Sequence, residues 1–287
     1  MPIAIAELLR QGTARLKNAG IDDAEISTRL ILRHLLDKSN LELQLSSTEI
    51  VDEKNIILFN ELVEKRSHHV PVQYIIGEVE FYNVKLKVDS RALIPRPETE
   101  ILVEHLIELA KTIKSAAVLD IGTGSGNIAV ALAANIDSIN ITAIDISQES
   151  LDLARKNAEA NRVADKIKFV RADCLRSEFW ERGDRYDIIA SNPPYVDDND
   201  FESLQPEIKL YEPKIALMTG GDSFAFFRYI TARATKTLKP KGIICFEVGA
   251  AQANRVALIM ESNFENIHIT IAKDLTGKDR VVIGKTQ

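Results

Sequence analysis

The fold is decided by the stretch Val118-Leu119-Asp120-Ile121-Gly122-Thr123-Gly124-Ser125-Gly126. Its apolar first half predicts a buried strand over residues 116–121, and a helix is predicted behind the glycines over residues 126–134. Glycine adopts positive φ without strain and lets a ligand approach the backbone. A strand, a glycine loop and a helix in this order are typical of a doubly wound α/β sheet, which binds its ligand at the carboxyl ends of the strands.

Beyond this stretch, strands and helices alternate to the end of the chain, which predicts a mostly parallel sheet with helices on both faces. The short connection over residues 273–278 predicts a final hairpin, which would add an antiparallel strand to the sheet. The predicted strands cover residues 116–121, 139–144, 167–171, 186–190, 242–248, 267–272 and 280–283, and the predicted helices cover residues 126–134, 148–161, 224–238 and 251–262.

The amino-terminal part has a different pattern. Residues 1–70 show apolar residues at helical spacing only, so we expect a small all-helical domain there. Its third helix is predicted over residues 50–67, after the capping pattern Ser46-x-x-Glu49. This domain either recognises a partner or forms a stabilising lid.

A linker is predicted between the two parts. Residues 71–92 show strand periodicity around a turn at Tyr82 and Asn83, which predicts a β-hairpin. The α/β domain would then cover residues 93–287.

The spacing of the loop glycines bears on the cofactor. Gly122, Gly124 and Gly126 follow the pattern G-x-G-x-G, whereas the dinucleotide fingerprint requires G-x-G-x-x-G with a pyrophosphate on the helix start. The third glycine comes one residue early, which disfavours an NAD-dependent oxidoreductase. The loop instead suits a smaller, cationic ligand such as S-adenosylmethionine.

Residues at the ends of the next two strands complete a predicted cofactor site. Asp145 follows the loop by about twenty residues and can accept hydrogen bonds from both ribose hydroxyls; the alternative is a helix cap before Ser147. Ile146 would lie along the adenine face, while Asp173 and Cys174 either address the adenine edge or have only a structural role. The predicted cofactor-binding residues are Gly122, Thr123, Gly124, Ser125, Gly126, Asp145, Ile146, Asp173, Cys174 and Asn192.

A second motif, Ser191-Asn192-Pro193-Pro194-Tyr195, follows the predicted strand over residues 186–190. Each proline fixes its own φ, removes a backbone donor and forces the preceding residue into an extended conformation. The chain therefore leaves the strand stiffly, with unpaired carbonyls and the Asn192 amide beside them, which suits a planar NH2 group. The alternative is a strand followed by an ordinary proline turn. Arg96 and Glu98, beside two further prolines, are either surface charges or residues near this site.

With these motifs in view, nearly the whole chain resembles the release-factor glutamine-N5 methyltransferases, which are class I enzymes that use S-adenosylmethionine. The similarity is most specific in residues 71–77 and 93–100 of the linker region. It includes the glycine loop, the Asn-Pro-Pro-Tyr motif and the sequence Tyr211-Glu212-Pro213. Asn83 and Ser223 depart from the family pattern, in which glycine is expected at both positions.

The resemblance implies a doubly wound, mostly parallel, seven-stranded methyltransferase sheet. It also implies that the substrate is the glutamine of the Gly-Gly-Gln tripeptide in peptide-chain release factors, and that the helical domain contacts the release factor. Asn192 and Pro193 would accept the N–H bonds of the glutamine amide, and Tyr195 would pack on the amide plane. The predicted catalytic residues are Asn192, Pro193 and Tyr195, and the predicted substrate-binding residues are Asn192, Pro193, Pro194, Tyr195, Arg96 and Glu98.

Composition and motifs together disfavour several alternative functions. The Asn-Pro-Pro-Tyr motif also occurs in adenine-N6 methyltransferases that act on nucleic acid, but a net charge of −6 gives no general attraction to phosphates. A non-catalytic cofactor-binding protein would have no need of a methyl-acceptor motif. The five histidines show no metal-type spacing, and Cys174 and Cys245 do not suggest a disulfide framework. We expect a cytoplasmic monomer with no metal and no membrane segment.

Overall fold

The structure, a computed structural model, describes residues 3–287. These residues form two compact units. The helical unit consists of the chain up to Glu78 together with Gln205–Tyr211, and the sheet unit consists of Val79–Leu204 and Glu212–Gln287. A short segment from the second half of the chain therefore belongs to the amino-terminal unit.

Helices dominate the helical unit, as the apolar spacing predicts. Ile5, Leu8 and Leu16 of the first long helix are buried in one core with Ile31 and Phe59 of later helices. In chain order the elements are β1 (Ile3–Ala4), α1 (Ile5–Asn18), α2 (Ala24–Leu36), α3 (Asn40–Leu45), β2 (Ile50–Val51), α4 (Glu53–Ser67) and α5 (Val72–Ile76).

One detail of this unit differs from the prediction of helices alone. The two short strands β1 and β2 pair in an antiparallel ladder, in which Ile3 lies opposite Val51. Ile50 and Val51 are β-branched and favour extended backbone, which explains why the third helix does not begin at residue 50.

The predicted cap of that helix is wrong as well. α4 begins behind Asp52, whose carboxylate accepts a hydrogen bond from the Asn55 backbone N–H at 2.9 Å. Aspartate is among the best residues for capping a helix start, and Asp52 stands directly before the first helical residue. The Ser46 hydroxyl instead donates to the Glu42 carbonyl at the end of α3, a helix that was not predicted.

The sheet unit begins in the predicted β-hairpin, where Tyr82 and Asn83 form the turn with φ values of 38° and 65°. Asparagine tolerates this left-handed conformation better than most residues. Short 3₁₀ turns follow at residues 164–166, 201–203 and 214–216. The elements from residue 78 onward, of which α10 belongs to the helical unit, are β3 (Glu78–Phe81), β4 (Val84–Lys87), α6 (Pro97–Lys111), β5 (Ala116–Ile121), α7 (Asn127–Asn135), β6 (Ile139–Asp145), α8 (Gln148–Ala160), β7 (Ile167–Arg171), α9 (Ser177–Trp180), β8 (Tyr186–Ser191), α10 (Pro206–Tyr211), α11 (Ala225–Thr237), β9 (Leu238–Glu247), α12 (Ala253–Glu261), β10 (Ile267–Lys273) and β11 (Asp279–Thr286).

Seven strands form one sheet in the order β10-β11-β9-β8-β5-β6-β7. The five strands β9, β8, β5, β6 and β7 are each parallel to their neighbours in the sheet. β11 is antiparallel to both β9 and β10, as the short connection over residues 273–278 predicts. The chain leaves β5 toward β6 and β7 and then continues on the other side of β5 with β8 and β9. The strand order therefore reverses at β5, and the predicted seven-stranded, mostly parallel, doubly wound sheet is confirmed.

Adjacent residues of the central strands are buried on opposite faces of this sheet. Val118 and Ile188 belong to one apolar core with α6, α7 and α8, whereas Leu119 and Ile189 belong to a second core with α11 and α12. Strands that are covered on both faces are continuous apolar runs, so the predicted boundaries of β5, β6 and β8 agree with the structure to within one residue. β9 begins four residues earlier than predicted, and β11 ends three residues later than predicted. Between residues 3 and 287, no helix combines the length and the apolar character that crossing a membrane requires.

Polar contacts that the sequence did not predict hold the segment Gln205–Tyr211 within the helical unit. The guanidinium of Arg66, which is almost fully buried, lies 2.6 Å from the Glu207 carboxylate. Tyr211 donates its hydroxyl to the His68 carbonyl at 2.8 Å. A buried arginine of α4 therefore fixes a segment that is distant in sequence.

Candidate active site

A cavity of about 270 Å³ lies in the sheet unit at the carboxyl ends of β5, β6 and β8. Doubly wound sheets bind ligands at this edge, where the strand order reverses. The predicted site residues that line it are Gly122, Thr123, Gly124, Ser125, Asp145, Ile146, Asp173, Cys174, Asn192, Pro194 and Arg96. The predicted site residues that do not line it are Gly126, Pro193, Tyr195 and Glu98.

The glycine loop makes a tight turn at the cavity wall. Gly122, Gly124 and Gly126 have φ values of 71°, 54° and 82°, which other residues adopt only with strain. The backbone N–H groups of Gly122 and Thr123 both donate to the Ile144 carbonyl at 2.9 Å. The loop is therefore tied to the end of β6, and its backbone is held in place along the cavity.

Asp120 is fully buried at the start of this loop. Its Oδ2 accepts a hydrogen bond from the Thr123 hydroxyl at 2.6 Å, whereas its Oδ1 has no partner among residues 3–287. The pKa of Asp120 is raised from 3.8 to about 7, mainly by burial and to a smaller extent by the negative charge of Asp145. Asp120 therefore organises the loop without lining the cavity, and it changes charge near neutral pH.

Asp145 lines the cavity at the end of β6. Its Oδ2 accepts a hydrogen bond from the Gly124 N–H and its Oδ1 accepts one from the Ser147 N–H, each at 2.9 Å. The cap of α8 is Ser147, whose hydroxyl accepts from the Ser150 N–H, so helix capping does not account for Asp145. Burial raises the pKa of Asp145, while the backbone N–H donors lower it. Each carboxylate oxygen retains acceptor capacity for a ligand hydroxyl.

Apolar side chains lie on the cavity wall near β6 and β7. Ile146 and Leu175 are large apolar residues with 44% and 39% exposure, which suits a flat aromatic ligand. Asp173 accepts a hydrogen bond from the Leu175 N–H at 2.9 Å, and the Cys174 carbonyl accepts one from the Trp180 indole at 2.8 Å. Burial raises the pKa of the Cys174 thiol to about 12, which keeps it neutral. Asp173 and Cys174 therefore shape this loop and also line the cavity.

Asn192 lines the same cavity as Asp145. Its Nδ2 donates to the Thr99 hydroxyl oxygen at 3.3 Å. Immediately before it, the Ser191 hydroxyl donates to the Ile121 carbonyl at 2.8 Å and joins the ends of β8 and β5. The structure therefore brings the predicted amide-binding residue and the predicted ribose-binding carboxylate to one place.

Pro193 and Tyr195 are sequence neighbours of the cavity-lining residues Asn192 and Pro194, but neither of them lines the cavity. Pro193 is buried, and the Tyr195 ring packs against the second apolar core. The Tyr195 carbonyl accepts a hydrogen bond from the Gln252 side chain at 3.2 Å. Burial raises the pKa of the Tyr195 hydroxyl to about 12, so the ring is uncharged at neutral pH. The roles of these two residues toward a substrate stay predictions.

Of the two charged residues predicted near the site, Arg96 lines the cavity and Glu98 does not. Arg96 forms an ion pair with the buried Glu212, whose second oxygen accepts the Ile94 backbone N–H at 3.1 Å. Glu212 thereby holds the proline-rich segment at the cavity wall, a role that sequence reasoning missed. The sequence signal that could have identified Glu212 is its position in the Tyr211-Glu212-Pro213 motif, which resembles the family pattern. Glu98 lies 3.7 Å from Arg280.

The donors and charges of the wall fit an adenosyl group. Arg91 and Arg96 are the cationic side chains of the described cavity wall. Arg91 is bound to the Asp89 carboxylate at 2.6 and 2.8 Å, and Arg96 is paired with a carboxylate as noted. Neither is free to bind a pyrophosphate, whereas Asp145 can bind a ribose. Within the part of the chain that the structure describes, no group of three or more His, Cys, Asp or Glu side chains is arranged to hold a metal ion.

Two buried polar residues near Asn192 were not predicted as site residues. Thr99 in the first turn of α6 and Glu247 at the end of β9 are 1% and 2% exposed. Burial raises the pKa of Glu247 from 4.5 to about 7. The sequence signal that could have identified Glu247 is its position directly after the apolar run over residues 243–246. A charged residue that continues a buried strand is rarely buried without a partner, so it indicates a polar site.

Comparison with known proteins assigns both parts of the chain. Residues 7–77 match the family model of the PrmC N-terminal domain, and residues 96–222 match that of the methyltransferase small domain. The release factor glutamine methyltransferase of Chlorobaculum tepidum is 37% identical over 272 residues, which cover 93% of this chain and 92% of that protein. The protein of the same name from Streptococcus pneumoniae is 38% identical over 278 residues, which cover 96% and 94%.

A solved structure supports the fold. The catalytic domain of hMettl16, in complex with the MAT2A 3′UTR hairpin 6, superposes with a TM-score of 0.56. It is 16% identical and the match covers 83% of this chain and 84% of that chain, so this likeness bears on the fold alone.

Proposed function

Because the chain belongs to the release factor glutamine methyltransferase family, we propose that it methylates the side-chain amide nitrogen of a glutamine in a peptide-chain release factor. The proposed glutamine is that of the Gly-Gly-Gln tripeptide, which the motif resemblance implies. The observation that supports the proposal best is the presence of Asn192 and Asp145 on the wall of one cavity. An acceptor for an NH2 group then lies beside a carboxylate that can hold a nucleoside.

The proposed cofactor is S-adenosylmethionine, which supplies an electrophilic methyl group on a sulfonium when it is bound. Asp145 accepts hydrogen bonds from the ribose hydroxyls, and such charge-assisted bonds contribute about 1.5–3 kcal/mol each. Ile146 and Leu175 pack against the adenine. The carboxylate partners of Arg91 and Arg96 reduce the repulsion between these arginines and the sulfonium.

Asn192 addresses the main chemical difficulty of this reaction. A carboxamide nitrogen is a poor nucleophile because its lone pair is delocalised, as the amide rotation barrier of about 18–20 kcal/mol shows. The Asn192 Oδ1 and the Pro193 carbonyl accept the N–H bonds of the glutamine amide and orient its nitrogen. Both bonds strengthen as positive charge develops on the nitrogen, so they stabilise the transition state more than the ground state. The Tyr195 ring packs on the amide plane, and the released proton passes to solvent.

We propose a separate role for each of the three segments that the sequence predicts. Residues 1–70 recognise the release factor, residues 71–92 form the linker, and residues 93–287 bind the cofactor and transfer the methyl group. A cytoplasmic location is proposed because both cysteines of the chain are free thiols, as is usual in a reducing compartment. The monomeric state is likewise a proposal.

The test is methyl transfer to a purified release factor. The enzyme is incubated with the release factor and S-adenosylmethionine that carries an isotopically labelled methyl group, and the labelled peptide is sequenced by mass spectrometry. One labelled methyl group is expected on the glutamine of the Gly-Gly-Gln tripeptide. A release factor in which that glutamine is replaced by alanine should remain unlabelled.

A duplex and a single-stranded DNA rich in adenine serve as competing substrates in the same assay. Label on adenine, or label on a different residue of the release factor, would contradict the proposal.

A further inference from the structure

Thr99, Asn192 and Glu247 form a connected polar cluster inside the sheet unit. The Asn192 Nδ2 lies 3.3 Å from the Thr99 Oγ1, and hydrogen bonding from both residues lowers the pKa of Glu247. β8 and β9 are parallel and Ser191 lies opposite Phe246, so Asn192, directly after β8, follows the same register as Glu247, the last residue of β9. A buried threonine and a buried glutamate therefore contact the residue that is proposed to bind the substrate amide.

The two ends of an asparagine carboxamide have opposite hydrogen-bonding character. The oxygen accepts, the NH2 group donates, and the two ends have nearly the same size. An ionised carboxylate can only accept, so Glu247 selects the orientation in which the Asn192 NH2 points toward Glu247 and Thr99. The Oδ1 is then left as the acceptor on the other side. The reversed orientation would present an NH2 group to the NH2 group of the substrate.

We propose that Thr99 and Glu247 are positioning residues that hold the Asn192 carboxamide in the one orientation that can accept the substrate N–H group. This inference rests on the proposed function, in which Asn192 binds the glutamine amide. Neither residue brings a charge to the cavity: Glu247 is not part of its wall, and Thr99, which lines it, is uncharged. Both act through Asn192.

The surroundings of Glu247 make this arrangement sensitive to pH. Glu98 on α6 raises the pKa of Glu247 in addition to the effect of burial, whereas Arg280 on β11 lowers it. Tyr195 also lies near, since the charge of Glu247 raises the pKa of its hydroxyl. The Oε2 of Glu247 has no partner among residues 3–287. A protonated Glu247 becomes a donor, which can bind the Asn192 Oδ1 and remove the preference for the productive orientation.

The first test removes one hydroxyl from the cluster. Thr99→Val keeps the shape of the side chain but loses the acceptor for the Asn192 NH2 group, and kcat for release factor methylation should fall about 10-fold. Thr99→Ser restores the hydroxyl and should restore most of the lost kcat. Thr231→Val is the matched control, because Thr231 is equally buried but its hydroxyl has no partner among the described residues. The control should leave kcat unchanged.

The second test uses the pH dependence. The wild-type kcat should fall as the pH drops through about 7, where Glu247 takes up a proton. Glu247→Gln cannot titrate, so its kcat should be lower than that of the wild type at high pH, and its acidic limb should be smaller. Asp120, whose pKa is also raised to about 7, titrates in both enzymes. S-adenosylmethionine affinity, measured by calorimetry, should change little in either variant, because Asp145, Ile146 and the glycine loop are unaltered.

The outcomes separate this inference from the function on which it rests. If the wild-type enzyme leaves the release factor unlabelled, the proposed function is wrong. If the wild-type enzyme is active and Thr99→Val keeps its kcat, or if the acidic limb of Glu247→Gln is as large as that of the wild type, the positioning role is wrong and the function stands. Melting temperatures of all variants identify any that do not fold, and if Thr99→Val does not fold, the pH profile of Glu247→Gln decides the positioning role.

Discussion

At the scale of single residues, the position of the Asn192 side chain depends on its sequence neighbours and on a residue that is distant in sequence. The prolines that follow it stiffen the chain where it leaves β8, and Thr99 on another element binds its side chain. The local cause is visible in the sequence, whereas the distant one depends on the packing of α6 beside the end of the sheet. Replacement of this residue should therefore separate chemistry from cofactor binding.

Asn192→Ala removes an acceptor that is proposed to strengthen in the transition state. We expect kcat to fall by about 100-fold or more, by analogy with the loss of one preorganised transition-state hydrogen bond. The Kd for S-adenosylmethionine should change by less than about 3-fold, because Asp145 and the glycine loop remain. Single-turnover kinetics and calorimetry measure the two quantities. Asn135→Ala, which loses only a bond within α7, is the control, and equal losses in both variants would contradict the role of Asn192.

Asp120 supplies a second prediction at this scale. Its pKa is raised to about 7 in the folded protein, so between its ordinary pKa and pH 7 the folded state holds a proton that the unfolded state has released. Its contribution to stability is therefore complete below pH about 4 and is lost as the pH rises toward 7. Glu247 adds a loss of the same sign.

Asp120→Asn should make stability less dependent on pH. The slope of the unfolding free energy between pH about 4 and about 7 should become less negative by up to about 1.4 kcal/mol per pH unit. Urea denaturation of the wild type and the variant at several pH values in this range provides the measurement. An unchanged slope would show that Asp120 titrates normally in the folded protein.

At the scale of elements, the glycine loop joins β5 to α7 under two separate constraints. Gly126 has a φ of 82°, and a Cβ at this position would lie 3.0 Å from the Ala154 Cβ and 3.2 Å from its Cα. Its conformation therefore requires glycine, and the packing of α7 on α8 leaves no room for a side chain. Gly183 has a φ of 81° but no atom within 4 Å of the corresponding position.

Comparison of Gly126→Ala with Gly183→Ala should separate these constraints. Gly183→Ala should cost about 1–2 kcal/mol of stability, which is the strain of a left-handed alanine. Gly126→Ala should cost about 1–3 kcal/mol more, because the added methyl group overpacks the contact with α8. Chemical denaturation measures both variants. Equal costs would mean that α7 and α8 separate without penalty.

At the scale of the whole molecule, the chain does not divide into its two units at one point. Residues 205–211 belong to the helical unit although they follow β8 of the sheet unit in sequence. Arg66 is central to this arrangement, since its guanidinium lies 2.7 Å from Asp23 and 2.6 Å from Glu207. Its Nε also donates to the Ser27 hydroxyl oxygen at 3.0 Å.

Arg66→Ala should destabilise the helical unit. Loss of a buried guanidinium leaves Asp23 and Glu207 without their partner, and since both carboxylates are partly exposed we expect a cost of about 2 kcal/mol. Hydrogen exchange should increase in α2, α4 and α10 but not in the central strands. Arg15→Ala, which breaks an exposed ion pair with Glu64, should cost about 0–1 kcal/mol. Exchange that increases equally throughout the chain would contradict a local role.

Much of the sheet unit could be predicted from the sequence. β5 has the predicted boundaries because a strand that is buried on both faces is a continuous apolar run. β7 has them too, although it is an edge strand in which Lys168 and Arg171 are exposed. The glycine loop could be predicted because positive φ values select glycine. The helical unit was predicted less well: the start of α4 depends on whether residues 50–51 find a strand partner, and that partner lies near residue 3.

The sequence by itself determined the strands, the glycine loop and the residue types that meet at the cavity, since each follows from the properties of neighbouring residues. Only the tertiary structure decided that Glu247 lies beside Asn192, that Glu212 holds Arg96, and that Arg66 holds the segment over residues 205–211. These pairs are distant in sequence, and their formation depends on strand order and helix packing. A buried charge must find its partner in space, and the local sequence does not specify which distant residue will share its position.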